Sequence, residues 1–236
     1  MVDGLNALVE RHPRWGFWKM FHALRLEGHR WNHKRVWRGY CAMKLYQKRR
    51  AKRRLPDRPR VPLAVPSESN HTWSFDFMSD ALYSGHRYRV LNIIDEGTRE
   101  ALDIVIGASL PSGRVVRTLQ AMVAEHGKLR CIRVDNGDEM TAQLFVDCCR
   151  EENIEIAYIQ PGKPNQNAYI ERFNRSFRTE VLDANVFSSL GQVRELAWAW
   201  LLSYNEERPH ALLGSISSAE FKRLVTVGNP SIPLCA

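Results

Sequence analysis

Apolar residues recur along this chain first at helical spacing, then in alternation, and then at helical spacing again. In residues 14–28, Phe17, Met20, Phe21 and Leu24 fall at three- and four-residue steps, predicting a helix that Gly28 stops. After a short turn Asn32 is placed to cap a second helix, with Val36, Trp37, Tyr40 and Cys41 on one side and Lys34, Arg35 and Arg38 facing outward. From Thr72 the period becomes two: Trp73, Phe75 and Phe77 alternate with Ser74, Asp76 and Met78. Residues 87–95 and 100–106 read as two more strands, joined by Glu96-Gly97-Thr98-Arg99 into a hairpin beside the first. Pro111 opens a helix with Val115, Val116, Leu119, Met122 and Val123 inward, and Gly127 ends it.

A short strand at 131–134 runs into the turn Asp135-Asn136-Gly137, followed by a helix (142–151) and a strand (154–159). A Pro/Gly loop from Pro161 then leads into a helix, with Asn165 as the candidate cap and Ile170, Phe173, Phe177 and Val181 as its apolar stripe. Leu190, Val193, Leu196, Ala197, Trp200, Leu201 and Tyr204 mark a long helix stopped by Pro209, and 218–224 a short one. Three antiparallel strands followed by alternating helix and strand predict an α/β fold, a mixed sheet flanked by helices. The two basic helices ahead of it are compatible with helix-turn-helix DNA binding.

Composition adds a partner. With 236 residues, 44% apolar and 10% aromatic, the chain can fill the core of one domain plus a smaller appendage, which excludes disorder throughout. Its net charge of +8 is uneven: residues 1–60 hold 17 basic and 4 acidic groups, the remaining 176 hold 17 and 22. Such asymmetry points to a basic module that meets a polyanion. The densest run, Gln47 to Arg60, has eight basic residues and two prolines, so it is predicted to be an extended arm. Within it Lys48, Arg49, Arg50, Lys52, Arg53 and Arg54 are candidate phosphate contacts. The expected division is a helical segment at 1–46, a linker arm at 47–70, a core at 71–182 and a helical extension of that core at 183–236. Five cysteines without paired spacing, no signal peptide and no apolar run of spanning length lead to the expectation of a soluble cytoplasmic protein, with no membrane partner.

Three carboxylates fall at places where propensity does not want them or where strands end. Asp76 is in mid-strand, where aspartate is depleted and costly if buried alone. Asp135 stands at the exit of a strand, a common position for functional groups in open α/β sheets. Glu171 lies on the helix after the Pro/Gly loop, off the apolar stripe and near Arg175 and Arg178. Alone it reads as the exposed partner of Arg175, contributing a few tenths of a kcal/mol, and only the positions of the other carboxylates change that. The three could converge on one edge of the sheet. Phosphodiester displacement needs charge neutralised on the attacking and leaving oxygens, and two Mg²⁺ ions held by a few carboxylates supply that.

At this point the chain resembles the second-reading-frame proteins of bacterial insertion sequences, transposases with a retroviral-integrase-like core. The matching pieces are Trp73-Ser-Phe-Asp-Phe, Val134-Asp-Asn-Gly, Gln160-Pro-Gly-Lys-Pro-Asn-Gln-Asn-Ala-Tyr-Ile-Glu-Arg-Phe-Asn and Tyr204-Asn-Glu-Glu-Arg-Pro-His-Ala-Leu-Leu-Gly. With them go His12-Pro-Arg and Asn32-His-Lys-Arg-Val of the helical segment, and the spacing of 35 residues between Asp135 and Glu171 is the family's own. The resemblance implies a ribonuclease H-like fold in which Asp76, Asp135 and Glu171 bind two Mg²⁺ ions, for which Mn²⁺ can substitute. It implies cleavage and transfer of DNA strands during transposition, by a homo-oligomer on element ends and target, with the first-reading-frame product as partner or fusion, in a bacterial cytoplasm at the nucleoid. Asp76, in the most rigid position, is assigned the bridge between the ions. Lys163, Arg175 and Arg178 are placed for substrate phosphate.

The chain departs from its relatives at Asp138 and Met140 and at Glu96-Gly97-Thr98. It begins near the middle of the helical segment that precedes such cores, as a shortened copy would. The rival functions are therefore a DNA-binding protein without catalysis and a ribonuclease H-like nuclease that uses only water. Asp80, Asp95, Glu96, Asp138 and Glu139 are alternative ligands that turns and solvated edges explain adequately. His12, His22, His29, His33 and Cys41 lack the second, closely spaced cysteine that a zinc site of the retroviral type would need. Cys148 and Cys149 read as helix core.

Overall fold

The computed structural model describes residues 1–46, 68–160 and 167–226. Most of the 47–70 arm, the loop from Pro161, Lys163 and the proposed cap Asn165 lie outside them.

The amino-terminal segment has three helices where the apolar spacing predicted two: α1 (Val2–Arg11), α2 (Phe17–Leu26) and α3 (His33–Ala42). Only Leu5 and Leu8 of α1 are fully inward, too short a stripe to stand out in sequence. They close a small core with Trp15, Met20, Leu24, Val36 and Tyr40. The Asn32 side chain caps α3 by accepting from the Lys34 N–H at 2.9 Å. Trp37, read from its spacing as inward, is instead 46% exposed, and Cys41 is only half buried. Of the predicted inward side of α3 only Val36 and Tyr40 are covered by the other two helices.

The sheet has five strands, β1 (Thr72–Ala81), β2 (Arg87–Asp95), β3 (Ala101–Gly107), β4 (Cys131–Val134) and β5 (Glu155–Tyr158), in the order β3-β2-β1-β4-β5. The first three are antiparallel and the last two run parallel to β1. The predicted hairpin between β2 and β3 is tied down by Asp95, which accepts from Gly97 N at 2.7 Å and from Asn70 N at 2.8 Å. A Cβ at Gly97 would lie 2.2 Å from the Glu68 carbonyl oxygen, so only glycine fits there.

Helices α4 (Ser112–His126), the one-turn α5 (Asp138–Thr141) and α6 (Gln143–Glu151) bury one face of the sheet. Helices α7 (Ala168–Phe177) and α8 (Leu190–Glu206) bury the other. The Glu171 helix α7 begins after Asn167, whose side chain makes no capping bond, and passes directly into a π-helical turn at Arg178–Leu182. Its predicted stripe of Ile170, Phe173, Phe177 and Val181 is buried throughout. In α8 the stripe narrows to Val193, Ala197, Leu201 and Tyr204, while Leu196 is 41% exposed. Helix α9 (Ser218–Thr226) packs on α8. Among the described residues no helix is long and apolar enough to cross a membrane.

Candidate active site

Alternation along β1 turns Trp73 and Phe75 toward α4 and α6, and therefore turns Ser74 and Asp76 toward α7. Strand β4 pairs in parallel with β1 so that Ser74 lies against Arg133. Two residues further along each strand come Asp76 and Asp135, at the carboxyl edge of the parallel pair. Helix α7 packs across β1 and β2 and brings Glu171 to the same place. Burial chiefly, then the charges of Asp135 and Glu171, push the Asp76 carboxyl up to about 6, against the opposing hydrogen bonds from Phe77 N and Asn174. The three carboxylates named from sequence thus act on one another electrostatically.

What holds them was not named. Asn92 lies opposite Asp76 in the antiparallel β1–β2 register and is fully buried. Its amide donates to Asn174 Oδ1 at 2.7 Å, and Asn174 Nδ2 donates to Asp76 Oδ2 at 2.6 Å. Asn174 is one helical turn beyond Glu171, so this chain of amides ties the Asp76 strand to the Glu171 helix. The sequence signal was available: Asn92 interrupts the apolar run Val90-Leu91-Asn92-Ile93-Ile94 just as Asp76 interrupts its own strand. Asp135 Oδ1 accepts from Gly137 N at 3.1 Å, and Asn136 donates to the Ile159 carbonyl at 3.0 Å. The exit turn is further held by an ion pair between Glu139 and Arg89, whose guanidinium lies 4.1 Å from the Phe77 ring centroid.

Among the alternative ligands, Glu139 is occupied by Arg89, and Asp80 pairs with Arg178 at 3.2 Å. Glu96 is fully buried against Ser74 and Arg133, and Asp95 serves the hairpin. Glu171 has no hydrogen-bond or ion-pair partner among the described residues, and no bond joins it to Arg175. Among the described residues no group of three or more histidine, cysteine or carboxylate side chains is placed to hold a metal ion together. In donor type the three carboxylates suit Mg²⁺, which takes one or two carboxylates per ion and completes its shell with water and phosphate. Asp76, raised chiefly by burial and then by the charges of Asp135 and Glu171, is a carboxylate whose ionised form a nearby cation would favour.

The basic residues separate into groups. Lys34, Arg35 and Arg38 are exposed along α3, and Arg175 is exposed one turn from Glu171. Arg178 is held by Asp80 and by the Ser79 carbonyl at 2.8 Å, so it braces the end of β1 against α7. Lys48, Arg49, Arg50, Lys52, Arg53, Arg54 and Lys163 lie outside the described residues.

The family described as Integrase core domain matches residues 66–164, a second family of that description matches 152–217, and an HTH-like domain matches 4–53. The chain is 38% identical over 217 residues to the insertion element IS476 uncharacterized 39.2 kDa protein of Xanthomonas euvesicatoria, covering 92% of this chain and 63% of that protein. It is 36% identical to the insertion element IS407 uncharacterized 31.7 kDa protein of Burkholderia multivorans, covering 92% of this chain and 78% of that one. The fold is shared with a chain of the simian T-cell lymphotropic virus intasome, at a TM-score of 0.62 and 17% identity over 89% of this chain and 73% of that one. The HTLV-2 integrase catalytic core, solved in complex with magnesium, follows at 0.50 and 19% identity over 68% and 99%. These matches reach the same residues as the site geometry, and the chain belongs to the transposase-type insertion-element family that joins an HTH-like domain to an integrase core domain.

Proposed function

We propose that the chain is a metal-dependent polynucleotidyl transferase that cleaves DNA strands and joins them during transposition. The observation that carries this reading is the placement of Asp76, Asp135 and Glu171, from two adjacent strands and the helix across them, within electrostatic reach of one another. Two Mg²⁺ ions at these carboxylates, or Mn²⁺ in their place, would neutralise the charge that develops on the attacking and leaving oxygens. Asp76 would be shared between the ions, and Asp135 and Glu171 would each contribute a further carboxylate. Asn174 fixes one oxygen of Asp76, and Asn92 fixes Asn174, so the carboxylate is oriented before substrate arrives. In the joining step a 3′ oxygen forms a bond to phosphorus, the P–O bond to the outgoing 3′ oxygen breaks, and the proton lost by the first hydroxyl is regained by the second. One phosphodiester replaces another, so positioning and charge stabilisation are what the protein must supply.

The rest of the reading follows from charge and family. Arg175 and Lys163 steer phosphate beside the triad, while Lys34, Arg35, Arg38 and the arm from Lys48 to Arg54 hold duplex DNA. The segments 1–46, 47–70, 71–182 and 183–236 act as DNA-binding part, arm, catalytic core and its extension. The protein works as a homo-oligomer on element ends, with the first-reading-frame product as partner, in the cytoplasm at the nucleoid. Joining of a labelled 3′-hydroxyl oligonucleotide to plasmid DNA tests the central step. Metal-dependent joining supports transfer; nicking without joining identifies a nuclease; binding with neither identifies a DNA-binding protein without catalysis.

A further inference from the structure

The described residues contain a cavity in the helical segment whose lining includes none of the three carboxylates. It lies between α2 and α3, has a volume of about 560 Å³, and is lined by Phe17, Trp18, His33, Lys34, Trp37 and Arg38. Two of its walls are tryptophans left 59% and 46% exposed, in a segment whose other large apolar side chains are mostly buried. Both indoles are braced. Trp18 meets Phe17 edge-on at 5.2 Å and His33 at 5.9 Å, and Trp37 meets Phe17 at 4.8 Å and lies parallel to Tyr40 at 5.7 Å. Rings held by other rings keep their faces presented with little entropy left to lose on binding.

No acidic residue lines the cavity, and neither Lys34 nor Arg38 makes an ion pair with another described residue. An aromatic platform rimmed by cations is the chemistry that binds unpaired nucleic acid: bases stack on the rings while cations meet the phosphates. Duplex DNA has no use for the indoles, because its bases are already stacked on each other and expose only edges and backbone. An apolar protein segment would use the indoles but not the cations.

We propose that the cavity between α2 and α3 is a binding site for the unpaired bases of single-stranded DNA, with Trp18 and Trp37 as stacking surfaces and Lys34 and Arg38 as phosphate contacts. The assignment rests on the reading of the chain as a DNA-handling enzyme and names a form of DNA that its helical segment takes.

Fluorescence anisotropy of the full chain with labelled oligothymidine and with a labelled blunt duplex tests it. The Trp18→Ala, Trp37→Ala double variant should bind oligothymidine about 10- to 100-fold more weakly, the scale of losing one or two stacked bases, and the duplex within about twofold of wild type. Trp18→Phe with Trp37→Phe keeps a ring at each place and should retain most of the affinity, which separates loss of stacking from loss of folding. Unchanged oligothymidine binding in the alanine variant overturns the proposal, as does equal weakening toward both probes. If sedimentation shows that the alanine variant has lost self-association while oligothymidine binding is unchanged, the cavity belongs to a second copy of the chain and the proposal is likewise overturned. A wild-type chain that binds neither probe contradicts the DNA-handling reading itself, an outcome distinct from a failed stacking site.

Discussion

Beneath α4 and α6 the sheet presents Trp73, Phe75, Leu91, Ile93, Ile132 and Val134, an unbroken apolar surface. On the reverse, one residue away along the same strands, stand Ser74, Asp76, Asn92 and Arg133. The first face follows the ordinary rule that a buried sheet surface is apolar. The second breaks it in a line. Glu96, Ser74 and Arg133 form a buried polar group below, and Asp76, Asn92 and Asn174 form another at the edge where Asp135 and Glu171 arrive. Glu96 Oε2 and Asn92 Oδ1 are buried without a hydrogen-bond partner among the described residues. Unmatched polar atoms of that kind cost stability, so the second face is organised for something other than stability.

The comparison can be broken most severely from the apolar side. Phe75 is fully buried, and Phe75→Ala should cost about 3–5 kcal/mol in denaturant unfolding, with joining per folded molecule unaffected. Next in size is the ion pair between Arg208, just beyond α8, and Glu180 of the π-helical turn. Arg208 donates two bonds to Glu180 at 2.7 and 2.9 Å and one to Ser176 at 3.0 Å, and Trp200 Nε1 also donates to Glu180. Both side chains of the pair are nearly buried. Arg208→Ala leaves Glu180 without its counter-charge and should cost about 3 kcal/mol, whereas Arg208→Met with Glu180→Leu should restore most of that. Thermal unfolding of the two variants and wild type measures it.

Sequence reading reached the strands and the main helices, and singled out the three carboxylates, because each leaves a local mark. Asp76 is a charge in an alternating strand, Asp135 ends an apolar run at a turn, and the Glu171 helix carries a stripe of aromatics. The sheet order and the parallel β1–β4 register, which bring the marks together, are long-range facts with no local trace. Asn174 was hidden because an asparagine on a helix is unremarkable until the strand opposite is known. Trp37 was misplaced because helical spacing shows which side chains share a face but not whether another element covers it. Arg208 stands in one of the matching motifs, but its partner Glu180 is 28 residues away in sequence and leaves no local trace.

A smaller effect is expected from pH. Burial chiefly, then the charges of Arg208, Lys19 and Arg172, lower the His210 imidazole to about 3, well below its ordinary 6.5. The unfolded chain therefore takes up a proton below pH 6.5 that the folded chain refuses. The stability linked to neutral His210 is complete above 6.5 and is lost as pH falls from there toward 3. Melting temperature should fall less steeply over that range in His210→Asn than in wild type. Smaller still in stability is Asn92→Leu, which removes a buried carbonyl oxygen that has no partner among the described residues. Stability should change by no more than about 1 kcal/mol, while joining falls about tenfold or more because Asn174 loses its anchor. Equal joining in Asn92→Leu would reduce the amide chain to packing.

At the end of this series lies a substitution that should leave stability untouched and remove the reaction. Glu171→Gln keeps the shape of an exposed side chain that has no bonded partner among the described residues, and takes away only its charge. Single-turnover joining of a labelled 3′-hydroxyl oligonucleotide to plasmid DNA, with Mg²⁺ and with Mn²⁺, is to be compared between Glu171→Gln and wild type at matched melting temperature and DNA affinity. Joining by the variant should be undetectable with either metal. Joining at the wild-type rate would take Glu171 out of the site and contradict the three-carboxylate account.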